Sequence, residues 1–341
     1  MATHKSIVIA GAVALALVGV LWFGIPAASE YSSGIADRFI PLPSFDRADY
    51  DARLLALAHV DQSATSTPSL WPVKAVYPEV GAILPFKRIV AYYGNFYSTK
   101  MGVLGEYPEA QVLTMLRDAT AKWAAADPST PTIPAIQYIA VVAQGTAGRD
   151  GKYILRMPDD QIDRALGMAN QVQGLLFLDV QVGLSTLQHE LPQLEKYLQM
   201  PNVHLAIDPE FSMKHGDAPG TVIGTFDAVD INYAAQYIAG LVNKYNLPPK
   251  VLVVHRFTQK MVTNYDKIQP LPEVQVVMDM DGWGPVAKKK GTYNQVIVPE
   301  PVQFTGIKLF YHADLKPPST GLLTTTDVLD LTPSPIYIQY Q

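Results

Sequence analysis

From Phe86 onward the chain alternates short, nearly continuous apolar runs with longer segments of helical periodicity, and no other feature constrains the fold as much. Eight runs have strand length: Arg88–Asn95, Ala135–Ala143, Gly174–Gln181, His204–Phe211, Val251–Phe257, Val274–Asp281, Gly306–Asp314 and Ile336–Gln341. Between them lie helical patterns at Pro108–Ala126, Asp160–Gln173, Thr186–Gln199 and Asp227–Tyr245, several opened by Pro, Thr or Asp. Strands joined through helices run parallel, and a strand apolar along its whole length is covered on both faces. Eight such units in residues 86–341 match the about 250 residues of a (β/α)8 TIM barrel. A doubly wound open sheet is the rival, but no Gly-x-Gly-x-x-Gly turn follows any run, and no cofactor is expected. The last run reaches the C-terminus with no helix after it, so a helix over Asp46–Ala58, capped by Ser44 or Asp46, is expected to cover that gap.

The first 85 residues read differently. Lys5 precedes an uncharged apolar run from Ile7 to Ile25, long enough to cross about 30 Å of hydrocarbon. Residues 1–29 therefore read as a signal anchor, or as a signal peptide cut near Ala27-Ala28-Ser29, which makes the membrane a partner through this segment and puts the rest outside the cytoplasm. Residues 30–85 are rich in Pro, Ser and Thr and read as a linker with one short helix, in which Gln62–Pro72 is a tether or an arm lying on the surface. The net charge of -5 lacks the basic excess that phosphate backbones require, which argues against nucleic acid. The run Lys288-Lys289-Lys290 reads as a solvated loop. With no cysteine, thiolate chemistry and Cys-ligated zinc drop out, and there is no His-Glu-x-x-His.

Several runs end in acids. In a strand, alternate side chains share a face, so His204, Ala206, Asp208 and Glu210 point one way, as do Phe177, Asp179 and Gln181, and Val277, Asp279 and Asp281. Barrel active sites lie at the C-terminal strand ends. There the sequence offers Tyr93 and Asn95, Asp179 and Gln181, Asp208 and Glu210, His255 and Arg256, Asp279, Asp281 and Trp283, Tyr311 and His312, and Gln339. His204 falls at the opposite end and reads as a core histidine. Asp208 and Asp281 also have a plainer reading, as a helix cap and a turn. Acids mixed with amides and aromatic rings suit a sugar, whose C–H faces lie on rings while its hydroxyls take hydrogen bonds.

In architecture and acid placement the region from Phe86 to Gln341 resembles the TIM-barrel glycoside hydrolases. It is similar to retaining families with a nucleophilic Asp after strand four and an acid/base Asp after strand six, which implies Asp208 as nucleophile and Asp281 as acid/base. In other barrel glycosidases the acid/base Glu follows strand four, where Glu210 matches. Their nucleophilic Glu after strand seven has no counterpart, since that run ends in Tyr311-His312, and Asp-Pro-Glu departs from the Asn-Glu pair common there. Asp208, Glu210 and Asp281 are thus the catalytic candidates, with Tyr93, Asn95, Asp179, Gln181, His255, Arg256, Asp279, Trp283, Tyr311, His312 and Gln339 binding a carbohydrate or other small polar substrate. No metal ligand is assigned. The same residues allow two alternatives: a metal-dependent lyase or hydrolase using the acids with His255 and His312, and a non-catalytic glycan-binding barrel.

Overall fold

The computed structural model describes residues 45–60 and 69–341; the apolar segment Ile7–Ile25 lies outside them. All eight expected strands form: β1 Arg88–Gly94, β2 Thr132–Ala143, β3 Leu175–Val180, β4 Val203–Ile207, β5 Lys250–Arg256, β6 Val274–Met280, β7 Phe304–Leu309 and β8 Tyr337–Tyr340. Neighbours pair in parallel all the way round, and β1 closes the ring by pairing with β8 (Val90 opposite Ile338) and with β2 (Tyr93 opposite Gln137). This is an eight-stranded parallel barrel with helices outside, the architecture that the alternating runs predict. A short strand, Ile154–Arg156, adds antiparallel to the end of β2. Among the described residues no helix is long and apolar enough to cross a membrane.

Outward-facing strand residues pack against the helices, of which the longest are Glu109–Ala126 and Ala228–Tyr245. The barrel interior is stratified. Its lower half is apolar, filled by Ile89, Ala91, Ala135, Phe177, Ala206, Val251, Val253, Val277 and Phe304. Its upper half carries Gln137, Asp179, His255, Asp279, Lys308 and Gln339, all buried. Packing therefore holds the ring from below while polar groups are presented above.

Three expectations change at the periphery. The helix Arg47–Leu57, capped by Asp46, does not fill an eighth-helix gap. It puts Tyr50, 3% exposed, into the interior cluster with Leu84, Ile89 and Ile336, and so stops the N-terminal mouth. An apolar barrel floor open to water would cost more than a gap on the outer wall. Second, the last residues of the stretch expected as a linker are hydrogen-bonded to the barrel. The Gln275 side chain holds this approach, accepting the N–H groups of Ile83 and Leu84 at 3.0 and 2.9 Å and donating to the Leu84 carbonyl at 2.6 Å. Trp71 donates its ring N–H to the Val298 carbonyl at 2.9 Å. Third, Thr186–Gln199 is a broken helix, Leu187–Glu190 and Glu195–Leu198 around a tight turn at Leu191–Leu194. Pro192 in that turn has no N–H to give.

Candidate active site

Each element delivers its side chains by alternation. β3 turns Phe177 and Asp179 inward, and Gln181 continues that column. In β4 the inward column is His204, Ala206 and Asp208, with Ala206 paired to Asp179. The strand stops at Ile207 and Pro209–Phe211 forms one tight turn, over which Asp208 acts as cap, accepting the Glu210 N–H at 3.1 Å. The cap reading and the site reading are thus both true of Asp208. Its other oxygen lies 3.3 Å from the Gln181 amide, which donates. From β6 come Asp279 and Asp281, from β5 His255, and from β7 Lys308.

Above the polar layer opens a cavity of about 450 Å³ at the C-terminal mouth. Tyr93, Gln181, Asp208, Glu210, Asp281 and Trp283 line it, so six of the expected residues meet there. Lys100, Phe257, Lys288, Lys308, Phe310 and Gln341 complete much of the wall and were not among the expected site residues.

Beneath this cavity lies a sealed layer. His255, fully buried, donates from Nε2 to Asp179 at 2.9 Å. Its Nδ1 sits 3.3 Å from Asp279 and 3.6 Å from Asp281, within ion-pairing reach but not aligned for a hydrogen bond. Gln137 donates to the same Asp179 oxygen at 2.6 Å and accepts from Tyr337 and from Gln339, the latter at 2.5 Å. Gly306 is what lets this layer close, since a Cβ there would meet Asp279 Oδ1 at 2.6 Å and the Tyr337 ring at 3.1 Å. Asp179, His255, Asp279 and Gln339, expected among the substrate-binding residues, are thus buried beneath the cavity and are not part of its lining. The polar residue inside the apolar run of β2, Gln137, was the available signal for this layer.

The electrostatics follow from burial. Burial alone disfavours a charged His255, but the carboxylates of Asp179 and Asp279 outweigh it and hold its pKa well above the ordinary histidine value. Burial pushes Asp208 well above the usual carboxylate range; His255 opposes this, while Asp281, Asp179 and Glu210 add to it. Glu210, half-buried, is pushed up to about 7 by burial and then by Asp281, with Lys308 and His255 opposing. Asp281 is raised by burial, against the pull of His255, Lys308 and Lys289. An imidazole held toward its charged form thus sits among acids whose protons are held more tightly than usual, that of Glu210 up to about 7.

Four expected residues lie elsewhere. Arg256 follows His255 and so points outward, where it pairs with Glu300 and donates to the carbonyls of Thr258 and Gln259 at 3.2 and 2.8 Å. β7 ends at Leu309, so strand alternation does not carry to Tyr311 and His312. Tyr311 stacks on Tyr340 and bonds the Tyr92 hydroxyl at 2.8 Å outside the barrel, while exposed His312 pairs with Glu106 at 2.7 Å. Asn95 is a loop anchor, donating to the Ile139 carbonyl at 2.9 Å and accepting the Tyr97 N–H at 2.9 Å. Without His312 the proposed acid-and-histidine metal set is not assembled, and among the described residues no three His, Asp or Glu side chains are grouped to hold a metal ion. His204 is a buried core residue accepting the Val251 N–H at 3.1 Å.

The lysine run is also not a loop. Val286–Thr292 is helical, with Lys288 on the cavity, Lys290 paired to Asp327 at 2.8 Å, and Lys289 buried. Lys289 pairs with Asp314 at 3.0 Å and donates to the carbonyls of Gly282 and Lys308 at 2.9 and 2.5 Å, tying the loop after β6 to β7.

Fold and site together define a (β/α)8-barrel protein whose C-terminal mouth is a carboxylate-lined cavity with aromatic walls. No protein-family model and no curated protein matches the chain. Among solved structures it is similar to a sugar phosphate isomerase/epimerase from Parabacteroides distasonis, at 8% identity over 79% of this chain and 90% of that one, with a TM-score of 0.34. It is also similar to GH26C from Muricauda sp. MAR_2010_75, at 11% identity over 77% of this chain and 75% of that one, with a TM-score of 0.33. Likenesses this distant carry no argument, and the barrel assignment rests on the closed ring of strand pairs.

Proposed function

We propose that the protein is a glycoside hydrolase-like enzyme acting on a carbohydrate in the cavity at the C-terminal mouth. One observation carries the reading: Asp208, Glu210 and Asp281 share one cavity with the rings of Tyr93, Phe211, Phe257, Trp283 and Phe310. Glycoside hydrolysis needs one protonated carboxyl to assist the leaving oxygen and one ionised carboxylate opposite it. Glu210, pushed up to about 7 and open to the cavity, has the properties of the proton donor. Asp281 is the stronger candidate for the ionised partner: burial raises it, as it raises Asp208, but His255, Lys308 and Lys289 all oppose that shift. That assignment differs from the one implied by resemblance, in which Asp208 is the nucleophile. Burial and its acidic neighbours raise Asp208 well above the usual range, which works against the ionised form that a nucleophile needs. Its role in this reading is to hold the Gln181 amide and the turn that carries Glu210. The apolar segment Ile7–Ile25 belongs to the same proposal as a signal anchor presenting the barrel outside the cytoplasm, which protease accessibility in intact cells would test.

The test is turnover of an oligosaccharide panel by the wild type, Glu210→Gln and Asp281→Asn, with and without EDTA. Glu210→Gln is expected to lose about 10²- to 10⁴-fold on ordinary glycosides and much less on aryl glycosides with acidic leaving groups, which need no proton. Asp281→Asn is expected to abolish both, and EDTA to change neither. Full activity in Asp281→Asn, or no turnover of any glycan by the wild type, defeats the reading.

A further inference from the structure

Hydrolysis needs carboxyls, yet the same cavity is walled by three lysines, Lys100, Lys288 and Lys308. Lys308 is 4% exposed, and among the described residues no carboxylate forms an ion pair with it. By contrast, Lys289 and Lys290 are paired with Asp314 and Asp327. The Lys308 ammonium lies 3.6 Å from the centre of the Tyr93 ring, facing the cavity. A ring face offsets only part of what an ammonium loses on leaving water, so such a group gains when a ligand brings an anion to it. Lys288 repeats the arrangement at the rim, 4.7 Å from the centre of the exposed Trp283 ring. Its stem has been given room: Gly284 has φ +144°, and a Cβ there would meet Lys288 Cδ at 2.7 Å. Both lysines are thus held against rings that also line the cavity.

We propose that the cavity takes an anionic saccharide, one carrying a uronate carboxylate or a sulfate ester, with Lys308 as the deep anion partner and Lys288 on Trp283 as the rim partner. The inference rests on the carbohydrate reading of the same cavity. A lysine ammonium is a compact point charge that accepts either oxyanion, so the lysines define the charge of the ligand and not which acid group bears it. Lys308 and Lys288 also explain how negative groups can approach a mouth that holds Asp208, Glu210 and Asp281.

The experiment is calorimetric titration of full-length Glu210→Gln protein with three chains of equal length: an oligogalacturonate, a sulfated galacto-oligosaccharide and the neutral galacto-oligosaccharide. At least one charged chain is expected to bind about tenfold or more tighter than the neutral one, with the advantage shrinking as salt rises. Adding Lys308→Met should remove about tenfold from the charged chain's affinity and change the neutral chain's far less. Lys288→Ala, at an exposed position that does not test folding, should cost less in the same direction. Neutral binding as tight as charged, no binding of either charged chain, or a preference that survives both lysine substitutions overturns the inference. Wild-type turnover of the neutral chain without a charge preference would end this inference and leave the hydrolase standing. A charge preference without turnover would do the reverse.

Discussion

Glu210→Gln separates the electrostatics of the site from its chemistry, because its effect on stability has a definite pH dependence. The Glu210 carboxyl sits at about 7 instead of 4.5, first because it is buried and next because Asp281 is near. A raised folded-state value means the native protein keeps this proton longer than the unfolded chain does. The stability contribution is therefore complete below about pH 4.5 and is lost as pH rises through about 7. At 1.36 kcal/mol per pH unit, the interval from 4.5 to about 7 sets an upper figure of about 3 kcal/mol. Solvent reaches part of this half-buried side chain, which reduces the figure to about 2 kcal/mol. The amide variant cannot ionise and escapes the loss. Thermal unfolding of both proteins should show midpoints that coincide near about pH 4 and separate by about 4 °C in the variant's favour near about pH 9, at about 2 °C per kcal/mol for a unit of this size. A midpoint difference that stays constant from acid to alkaline pH would refute the reasoning, since it would mean that Glu210 has the same affinity for its proton folded and unfolded.

Other substitutions probe the rest of the construction. Gly306→Ala should displace the Asp279 carboxylate and the Tyr337 ring and cost about 1–3 kcal/mol in chemical denaturation, with full stability retained if the layer is loose. Tyr50→Ala opens the barrel floor and should cost about 3 kcal/mol while leaving KM unchanged, because the helix sits at the mouth opposite the cavity; a changed KM would contradict that placement. Arg256→Met leaves Glu300 without its partner outside the barrel, so stability should fall with the kcat pH profile unmoved, whereas a shifted profile would return Arg256 to the site.

The barrel was legible because β-strand and helix periods differ so plainly along the chain, and the alternation rule was enough to turn Asp179, Asp208, Asp279 and Asp281 inward. The same rule, applied strictly, excludes Arg256, since it follows His255 directly. Tyr311 and His312 failed for another reason: nothing local says that β7 stops at Leu309, and past a strand's end alternation has no force. Lys289 was unreadable in a run of three lysines, because its burial depends on Asp314, which only the closed barrel brings alongside. Depth was the remaining gap. Alternation tells inside from outside but not how deep an inward residue lies, and so His255 and Asp279 were expected among the substrate contacts although both are fully buried and lie outside the cavity lining.

Everything proposed for the site depends on acids from β4 and β6 meeting at one mouth. Carboxyl-carbon NMR titration of Glu210 in the wild type and in Asp281→Asn measures that meeting directly. The account predicts a midpoint near about 7 in the wild type, still above 4.5 but clearly lower once the Asp281 charge is removed. A wild-type midpoint near 4.5, or one that ignores Asp281→Asn, would contradict it.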